Sequence, residues 1–187
     1  PEPEPEPEPD PEPGAGPEPE PELQAPGAPS LERLRALRWA TLGYQYQWTT
    51  RTYSVDPAHV TTMPSRLSSL CAALAGATGH PMEPQAAIVN YYHPKSTMGG
   101  HVDDAELDLS LPLVSLSLGL SAVFLCGGRT RDVGPTAIWL RSGDAVIATG
   151  PARLCYHGVP RIMAGTSPGF LTDAESYWRL LTAPGSE

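Results

Sequence analysis

The sequence predicts a mainly β domain, a sandwich or barrel of short strands, with helices ahead of it. In the second half of the chain apolar and polar side chains alternate with a period of two, most clearly over residues 113–118. That period is typical of strands with one face in a core. Glycine and proline break the same region at Gly127-Gly128, Gly134-Pro135 and Gly150-Pro151. Many short strands separated by such turns indicate a sandwich or barrel.

The first 29 residues form a tail of different composition. They hold nine of the 21 Asp and Glu residues and none of the Lys and Arg, so the rest of the chain has 12 acids against 12 bases. A segment dominated by Pro and Glu cannot bury enough apolar surface to offset its ordering entropy. We therefore expect residues 1–29 to be a disordered, extended spacer and residues 30–187 to form one domain. An alternative is that the acidic tail competes with nucleic acid for a basic groove.

Two helices and an aromatic segment are predicted ahead of the strands. Ser30 is a suitable N-cap for a helix whose leucines follow at helical spacing. Residues 39–53 hold five aromatic side chains among Thr and Gln, which favours a β-hairpin or lid. A second helix is predicted from Pro64-Ser65 to the Gly76–Gly79 region. Its apolar stripe consists of Leu67, Leu70, Cys71 and Leu74.

One part of the strand region also has the length of a membrane span. Residues 109–128 are 20 positions without a charge, long enough to cross a bilayer. Pro112, Gly119 and four serines interrupt the segment, and its period of two favours paired core strands over a membrane helix. Further elements are predicted as strands at Thr136–Leu140, Asp144–Ala148 and Leu154–Val159, and as a helix over Thr172–Leu181, which begins with a capping-box pattern.

The cysteines predict free thiols. Cys71, Cys126 and Cys155 are odd in number, lie in apolar surroundings and lack C-x-x-C spacing. Buried thiols in a reducing compartment are the simplest account. A structural zinc site is therefore not expected.

His101 and Asp103 carry the first chemical signal. One residue separates them, so in extended chain both side chains lie on the same face. Two imidazoles and one carboxylate on one face of a metal are the ligands of non-haem Fe(II) oxygenases. His157, in a later predicted strand, is the candidate for the third ligand. Spacing alone leaves an alternative, an exposed histidine beside the acidic residues 103–108.

Seven short segments strengthen the metal-site hypothesis. They are Leu37–Tyr46, Asn90–Tyr92, His101–Asp103, Val114–Gly119, Phe124–Gly128, Ser142–Asp144 and Arg153–His157. In order and spacing this set resembles the AlkB dioxygenases, most nearly the eukaryotic branch called AlkB homologue one. The resemblance covers residues 30 to 182 or so.

The resemblance implies a fold and an activity. The fold is a double-stranded β-helix, or jelly roll, with N-terminal helices buttressing one sheet. The activity uses Fe(II), 2-oxoglutarate and dioxygen, with nucleic acid carrying N-methylated bases, DNA or RNA, as the partner and substrate. 2-Oxoglutarate is decarboxylated to succinate, and the oxidised N-methyl group leaves as formaldehyde. By resemblance the protein is intracellular, in the nucleus or the mitochondrion.

The resemblance also assigns residues to the metal and the cosubstrate. His101, Asp103 and His157 bind the metal. Asn90 and Tyr92 bind 2-oxoglutarate. As an i, i+2 pair on one strand, these two would share a face toward the interior. An internal hydrogen-bonded pair is the alternative account of them.

Three further residues are implied on the substrate side. Trp39 and Tyr44 match aromatic positions of the lid that recognises the nucleotide, where a flipped-out base can stack. Ordinary hairpin packing is the alternative for both. Arg131 matches a basic loop on the substrate side of the site, with a solvated loop arginine as the alternative.

One motif of the family is missing from this sequence. The family has a late strand with the pattern Arg-x-Asn-x-Thr-x-Arg, whose first Arg pairs with the distal carboxylate of 2-oxoglutarate. After His157 the chain offers only Arg161 and Arg179. We therefore expect a domain truncated at its C-terminus that binds 2-oxoglutarate weakly. The rival hypotheses are a catalytically incompetent isoform or fragment that binds nucleic acid or a protein partner, and a metal-dependent isomerase or lyase of the cupin type.

Overall fold

The computed structural model describes residues 36–172, and within them the chain is mainly β. The strands in this range are β1 (Trp39–Gly43), β2 (Tyr46–Gln47), β3 (Thr52–Tyr53), β4 (Ala86–Asn90), β5 (Met98–His101), β6 (Leu113–Leu116), β7 (Ala122–Cys126), β8 (Thr136–Leu140), β9 (Ala145–Ala148) and β10 (His157–Ile162). The helices are Ser65–Ala77 and Gly169–Thr172, with 3-10 turns at Pro57–His59 and Gly150–Leu154. The predicted tail, the predicted helix from Ser30 and residues 173–181 of the last predicted helix lie outside the described residues.

Antiparallel pairing groups these strands into four sheets. The largest has the order β5-β10-β7-β8, and the other three are the pairs β1-β4, β2-β3 and β6-β9. β8 has the predicted bounds, and β9 begins one residue later than predicted. The predicted class, many short strands joined by tight turns, is confirmed.

The uncharged segment 109–128 forms strands, as predicted. β6 pairs with β9, whereas β7 lies between β10 and β8 in the largest sheet. Ala122 and Phe124 of β7 are buried, two positions apart as one face of a strand requires. A search of residues 36–172 for a helix with the length and apolarity of a membrane span finds none.

The predicted hairpin over residues 39–53 is wrong for Trp39–Gly43, which form β1. β2 and β3 form a hairpin, but β1 pairs with β4 and belongs to a different sheet. Gly43 ends β1 with φ of 74°, a conformation that favours glycine. A side chain at this position would overlap the Gln85 carbonyl, so close contact with the segment before β4 also requires glycine. The turn at Gly43 separates β1 from the hairpin.

The strand predicted at Leu154–Val159 begins later than expected. Residues Gly150–Leu154 form a 3-10 turn, and β10 runs from His157 to Ile162. Gly150 has φ of 49°, and the ring of Pro151 fixes φ for a first helical position. Pro160 does not end β10, because the register with β7 shifts between Gly158 and Arg161, and such an irregularity tolerates a residue without an N–H.

The helix Ser65–Ala77 has the predicted position and packs against β6. Cys71 and Ala75, one turn apart, are its buried residues. Leu70 was predicted to share the apolar stripe, but it is 49% exposed, so the buried face is narrower than the sequence indicates. The three cysteines are free thiols, as predicted.

Candidate metal centre

The pairing of β5 with β10 joins the two candidate histidines. His101 and His157 are direct partners across the antiparallel pair, and their ring centroids lie 4.4 Å apart. A Cβ on Gly158 would lie 2.9 Å from the Met98 carbonyl oxygen and 3.1 Å from that of Gly99. Glycine after His157 therefore lets the two backbones approach closely enough to set the histidines side by side.

Asp103 completes the group from a loop. It lies two residues beyond β5, which ends at His101, so the strand carries His101 and the following loop carries Asp103. One carboxylate oxygen is 3.6 Å from His101 Nε2, and the other is 3.2 Å from His157 Nε2. His101, Asp103 and His157 each offer one ligand atom, and the three atoms lie within 4.8 Å of one another. The structure thus brings together the three residues that the sequence predicts.

The backbone fixes which ring nitrogen of each histidine is available. Nδ1 of His101 lies 2.9 Å from the Gly99 carbonyl oxygen, and Nδ1 of His157 lies 3.3 Å from that of Cys155. A carbonyl only accepts, so Nδ1–H donates in both rings. Nε2 is then the lone-pair nitrogen of each neutral ring, and it faces Asp103. Such a second contact commonly orients metal-binding histidines.

Packing contacts the His157 ring, and neighbouring charges keep the Asp103 carboxylate ionised. The Phe124 ring stacks on His157 with centroids 5.7 Å apart and planes 21° from parallel. Burial alone would raise the pKa of Asp103. The hydrogen bond that Nε2 of His157 donates when the ring is protonated, together with the charges of His157, His101 and Arg153, lowers it below its ordinary value. The hydrogen bond to Asp103 raises the pKa of His157 despite the opposing effect of burial. The carboxylate is therefore ionised near neutral pH.

The donor set fits a divalent metal with octahedral preference. Adjacent ligands about 2.1 Å from such an ion lie about 3 Å apart, close to the distances between Asp103 and the two imidazoles. Imidazole and carboxylate donors suit Fe(II), and a two-histidine, one-carboxylate set occupies one face of the ion. The other face is left for cosubstrate.

Asn90 and Tyr92 do not form the enclosed pair that the sequence predicts. Asn90 is the last residue of β4, opposite Trp39 of β1, and is exposed. Because the strand ends there, the same-face argument does not extend to Tyr92, and the predicted interior position is wrong for Asn90. Tyr92 is half-buried. Burial raises the pKa of its phenol, and the charge of Asp103 raises it further.

The aromatic segment forms a series of ring contacts. Trp39 lies 5.0 Å from Trp48, Trp48 lies 4.8 Å from Tyr46, and Tyr46 lies 5.3 Å from Tyr53, all measured between ring centroids. We call these four residues the aromatic ladder. Trp48 is 48% exposed. Of the two predicted substrate aromatics, Trp39 belongs to the ladder, whereas Tyr44 makes none of these ring contacts.

Arg131 lies beside the metal ligands. Its guanidinium carbon is 5.1 Å from the centre of the Tyr156 ring, and Nη2 donates to the Gly100 carbonyl at 3.4 Å. Tyr156 and Gly100 immediately precede His157 and His101. The predicted place of Arg131 near the site agrees with these contacts, and a contact with substrate stays a prediction.

Sequence reasoning missed Arg153, Glu106 and Tyr53. Arg153 is 4% exposed and donates to the Asp103 carbonyl at 2.6 Å. Glu106 accepts from the same guanidinium. Burial raises the pKa of the Tyr53 phenol, and the charge of Glu106 raises it further. A signal for Arg153 was present, since it is the one Asp, Glu, Lys or Arg between Asp144 and Arg161. A lone charge in an apolar stretch must find partners if that stretch is buried.

The fold and the site together define a class of protein. Two imidazoles from paired strands beside one carboxylate form the ligand set of the non-haem Fe(II) oxygenases. Comparison with known proteins agrees, since the family model of the 2OG-Fe(II) oxygenase superfamily matches residues 14–181. The chain belongs to this superfamily and, within it, to the AlkB family, whose eukaryotic ALKBH1 branch it resembles.

Three similar proteins support the assignment. The chain is 49% identical over 135 residues to the DNA N(6)-methyladenine demethylase ALKBH1A of Arabidopsis thaliana, covering 71% of this chain and 39% of the relative. It is 40% identical over 146 residues to the tRNA demethylase abh1 of Schizosaccharomyces pombe, covering 77% and 48%. It matches the solved structure of OsALKBH1 with a TM-score of 0.66 and 31% identity over 72% of this chain and 70% of the other.

These comparisons bear on the fold and on the extent of the chain. The structural match and the family assignment give the described residues a jelly-roll fold, as the resemblance predicts. The chain spans less than half the length of the two curated relatives.

Proposed function

We propose that this chain is an Fe(II)/2-oxoglutarate-dependent dioxygenase domain that oxidatively demethylates N-methylated bases in DNA or RNA. The convergence of the His101 and His157 Nε2 atoms on the Asp103 carboxylate carries this proposal. Membership of the AlkB family supports the cofactor and the cosubstrate. The names of the two relatives above, one a DNA demethylase and one a tRNA demethylase, support a nucleic-acid substrate.

In this proposal His101, Asp103 and His157 would hold the metal. When bound together, Fe(II), 2-oxoglutarate and dioxygen supply the oxidation that releases an N-methyl group as formaldehyde. The chain contributes geometry and charge. The Gly99 and Cys155 carbonyls fix the two imidazole tautomers, and the lowered pKa of Asp103 keeps an anion ready for the metal.

Asn90 and Tyr92 are the proposed contacts to 2-oxoglutarate. The response of the Tyr92 phenol to the charge of Asp103 supports a position beside the metal. A phenol there can donate a hydrogen bond to a cosubstrate oxygen. The exposure of Asn90 leaves its amide accessible to a ligand in the same region.

Trp39, Tyr44 and Arg131 are the proposed contacts to the nucleotide. The aromatic ladder supports this role for Trp39, because Trp39 contacts Trp48, a ladder member that is exposed. Bases stack on such rings without sequence preference. The position of Arg131 between the two strands that carry the histidines supports a contact near the reacting base.

Two wider predictions accompany this function. We propose that helices ahead of the sheets buttress one of them, which the packing of Ser65–Ala77 against β6 supports. We also propose an intracellular location, in the nucleus or the mitochondrion. The free thiols of the described residues fit a reducing compartment.

The test is turnover of a defined substrate. The chain is incubated with Fe(II), 2-oxoglutarate and ascorbate, and with single-stranded DNA or RNA containing N-methyladenine or N-methylcytosine. We expect succinate and formaldehyde in the presence of the methylated oligonucleotide, and neither product from His101→Ala. Oligonucleotide binding without succinate would support the incompetent isoform or fragment. Metal-dependent conversion that persists without oxygen would support the cupin-type enzyme.

A further inference from the structure

Arg153 is a buried charge just ahead of a metal ligand. It is 4% exposed, although it lies in the 3-10 turn Gly150–Leu154, whose first residue is exposed. Taking a guanidinium out of water is unfavourable unless its donors are satisfied. The hydrogen-bond partners of Arg153 therefore indicate its structural role.

Three donors of Arg153 reach one loop, residues 102–112, which joins β5 to β6. Nη1 donates to the Asp103 carbonyl at 2.6 Å, Nε to the Leu111 carbonyl at 3.0 Å, and Nη2 to the Glu106 carboxylate at 2.8 Å. The loop has no strand partner of its own. One side chain thus holds it at its beginning, in its middle and near its end.

The first of these contacts bears directly on the metal centre. Asp103 lies beyond the end of β5, so no ladder hydrogen bond fixes its backbone. The direction of its carboxylate depends on the orientation of its peptide unit. Arg153 donates a hydrogen bond to the carbonyl of that unit. His157 follows Arg153 by four residues, so the same short segment provides one ligand and orients another.

Glu106 supports Arg153 from the middle of the loop. Its carboxylate accepts from Nη2 at 2.8 Å, while Nη1 of the same guanidinium donates to the Asp103 carbonyl. The ion pair of Arg51 with Asp104, 3.4 Å long, is exposed and does not include Arg153.

We propose that Arg153 and Glu106 are positioning residues for the metal centre. Arg153 orients the Asp103 carboxylate through its backbone, and Glu106 holds Arg153 in place. We call Arg153 and Glu106 the loop clamp. The inference uses the proposed function only in that the His101, Asp103 and His157 group binds a metal.

The test measures Co(II) binding, which needs no turnover. Visible absorption of the Co(II)-loaded chain reports the ligand geometry, and titration gives the dissociation constant. The variants are Arg153→Lys, Glu106→Ala and Glu106→Gln. Asp104→Ala is the matched control, because it also removes an acid near the metal but breaks only an exposed ion pair.

We expect Glu106→Ala and Arg153→Lys to weaken Co(II) binding about tenfold or more, as loss of groups that orient metal ligands does. Their Co(II) spectra should also change. Glu106→Gln keeps an acceptor for Arg153 and should recover part of the affinity. Asp104→Ala should keep the original spectrum and most of the affinity. If Arg153→Lys does not fold, the two Glu106 variants and the control decide the matter.

The clamp as a whole is wrong if Glu106→Ala and a folded Arg153→Lys bind Co(II) with the affinity and spectrum of Asp104→Ala. Failure of the unmodified chain to bind Co(II) would overturn the metal centre itself, and the clamp with it.

Discussion

His157 lies opposite His101 across the β5–β10 pair, and both rings turn Nε2 toward Asp103, which lies 3.2 Å from one and 3.6 Å from the other. The metal-binding geometry is therefore present in the protein alone, fixed by strand pairing and by backbone carbonyls. A preformed site of this kind loses little conformational entropy on binding a metal. The following predictions test what this geometry implies.

Removing either histidine should abolish stoichiometric metal binding. His101→Ala or His157→Ala leaves one imidazole and one carboxylate, too few for a stable site of this class. Equilibrium dialysis with Co(II) measures the stoichiometry, with His80→Ala, an exposed histidine, as the control. Unchanged stoichiometry in either ligand variant would exclude that residue from the site.

In the metal-free chain, the pairing of His157 with Asp103 should stabilise the fold within a limited pH range. The pKa of His157 is raised above 6.5, so its contribution is full below that value and is lost as the pH rises through the folded pKa. The pKa of Asp103 is lowered below 3.8, so its contribution is full above that value and is lost as the pH falls through the folded pKa. Thermal unfolding across this range should show the largest gap between the unmodified chain and His157→Gln between the two limits.

The affinity for metal should rise with pH over the range in which the stabilising pair of protonated His157 and Asp103 is lost. A bound metal requires neutral His157, and the raised pKa of His157 means that a proton competes at higher pH than for an ordinary histidine. Apparent Co(II) affinity should therefore increase with pH until His157 is deprotonated. An affinity that is flat around and just above pH 6.5 would argue against His157 as a ligand.

Phe124 should contribute to stability and to the orientation of His157. It is buried and stacked on the imidazole, so Phe124→Ala should lower the free energy of unfolding by about 3–5 kcal/mol. The other phenylalanine, Phe170, is 50% exposed, and Phe170→Ala should change stability far less. Urea unfolding of both variants gives the comparison, and equal losses would contradict the buried position of Phe124.

Tyr92→Phe should weaken 2-oxoglutarate binding without changing metal affinity. A hydrogen bond to a charged ligand contributes about 1.5–3 kcal/mol, which corresponds to a change of about 10- to 150-fold in the dissociation constant. Titration into the Mn(II)-loaded chain under nitrogen measures it. Tyr91→Phe, at a neighbouring position that is 41% exposed, is the matched control, and equal affinity in both variants would remove Tyr92 from the cosubstrate site.

Trp48→Ala should weaken binding of a single-stranded oligonucleotide. Each base stacked on an aromatic ring contributes about 1–3 kcal/mol, and Trp48 is an exposed member of the aromatic ladder, in contact with Trp39 and Tyr46. Trp139 on β8 is 46% exposed, which makes Trp139→Ala a control of nearly equal exposure. Fluorescence anisotropy with a labelled oligonucleotide measures both. A loss of the same size in the two variants would show that exposure, rather than the ladder, governs the effect.

Strands and helices whose sequence pattern lies within a few neighbouring residues were predicted correctly. The period of two predicted strands at β6 and β8, and the helical spacing of Leu67 and Cys71 predicted the helix Ser65–Ala77. Where a boundary depended on a distant contact, prediction was less accurate. β1 leaves the predicted hairpin because Gly43 turns against the Gln85 carbonyl, and Gln85 is far away in the sequence.

The sequence by itself determined the identity of the metal group, because His101 and Asp103 carry a spacing that any extended chain turns to one side. His157, in a later predicted strand, was the candidate third ligand, and the resemblance to a family strengthened that assignment. Only the tertiary structure decided how Asp103 is held, since its backbone lies past the end of β5 and depends on a guanidinium that is 50 residues further along the chain. Sequence spacing indicates which residues lie close together along the chain. The partners of a buried charge depend instead on which distant segments the fold places beside it. For this reason the ligands could be predicted from the sequence, and the residues that position them could not.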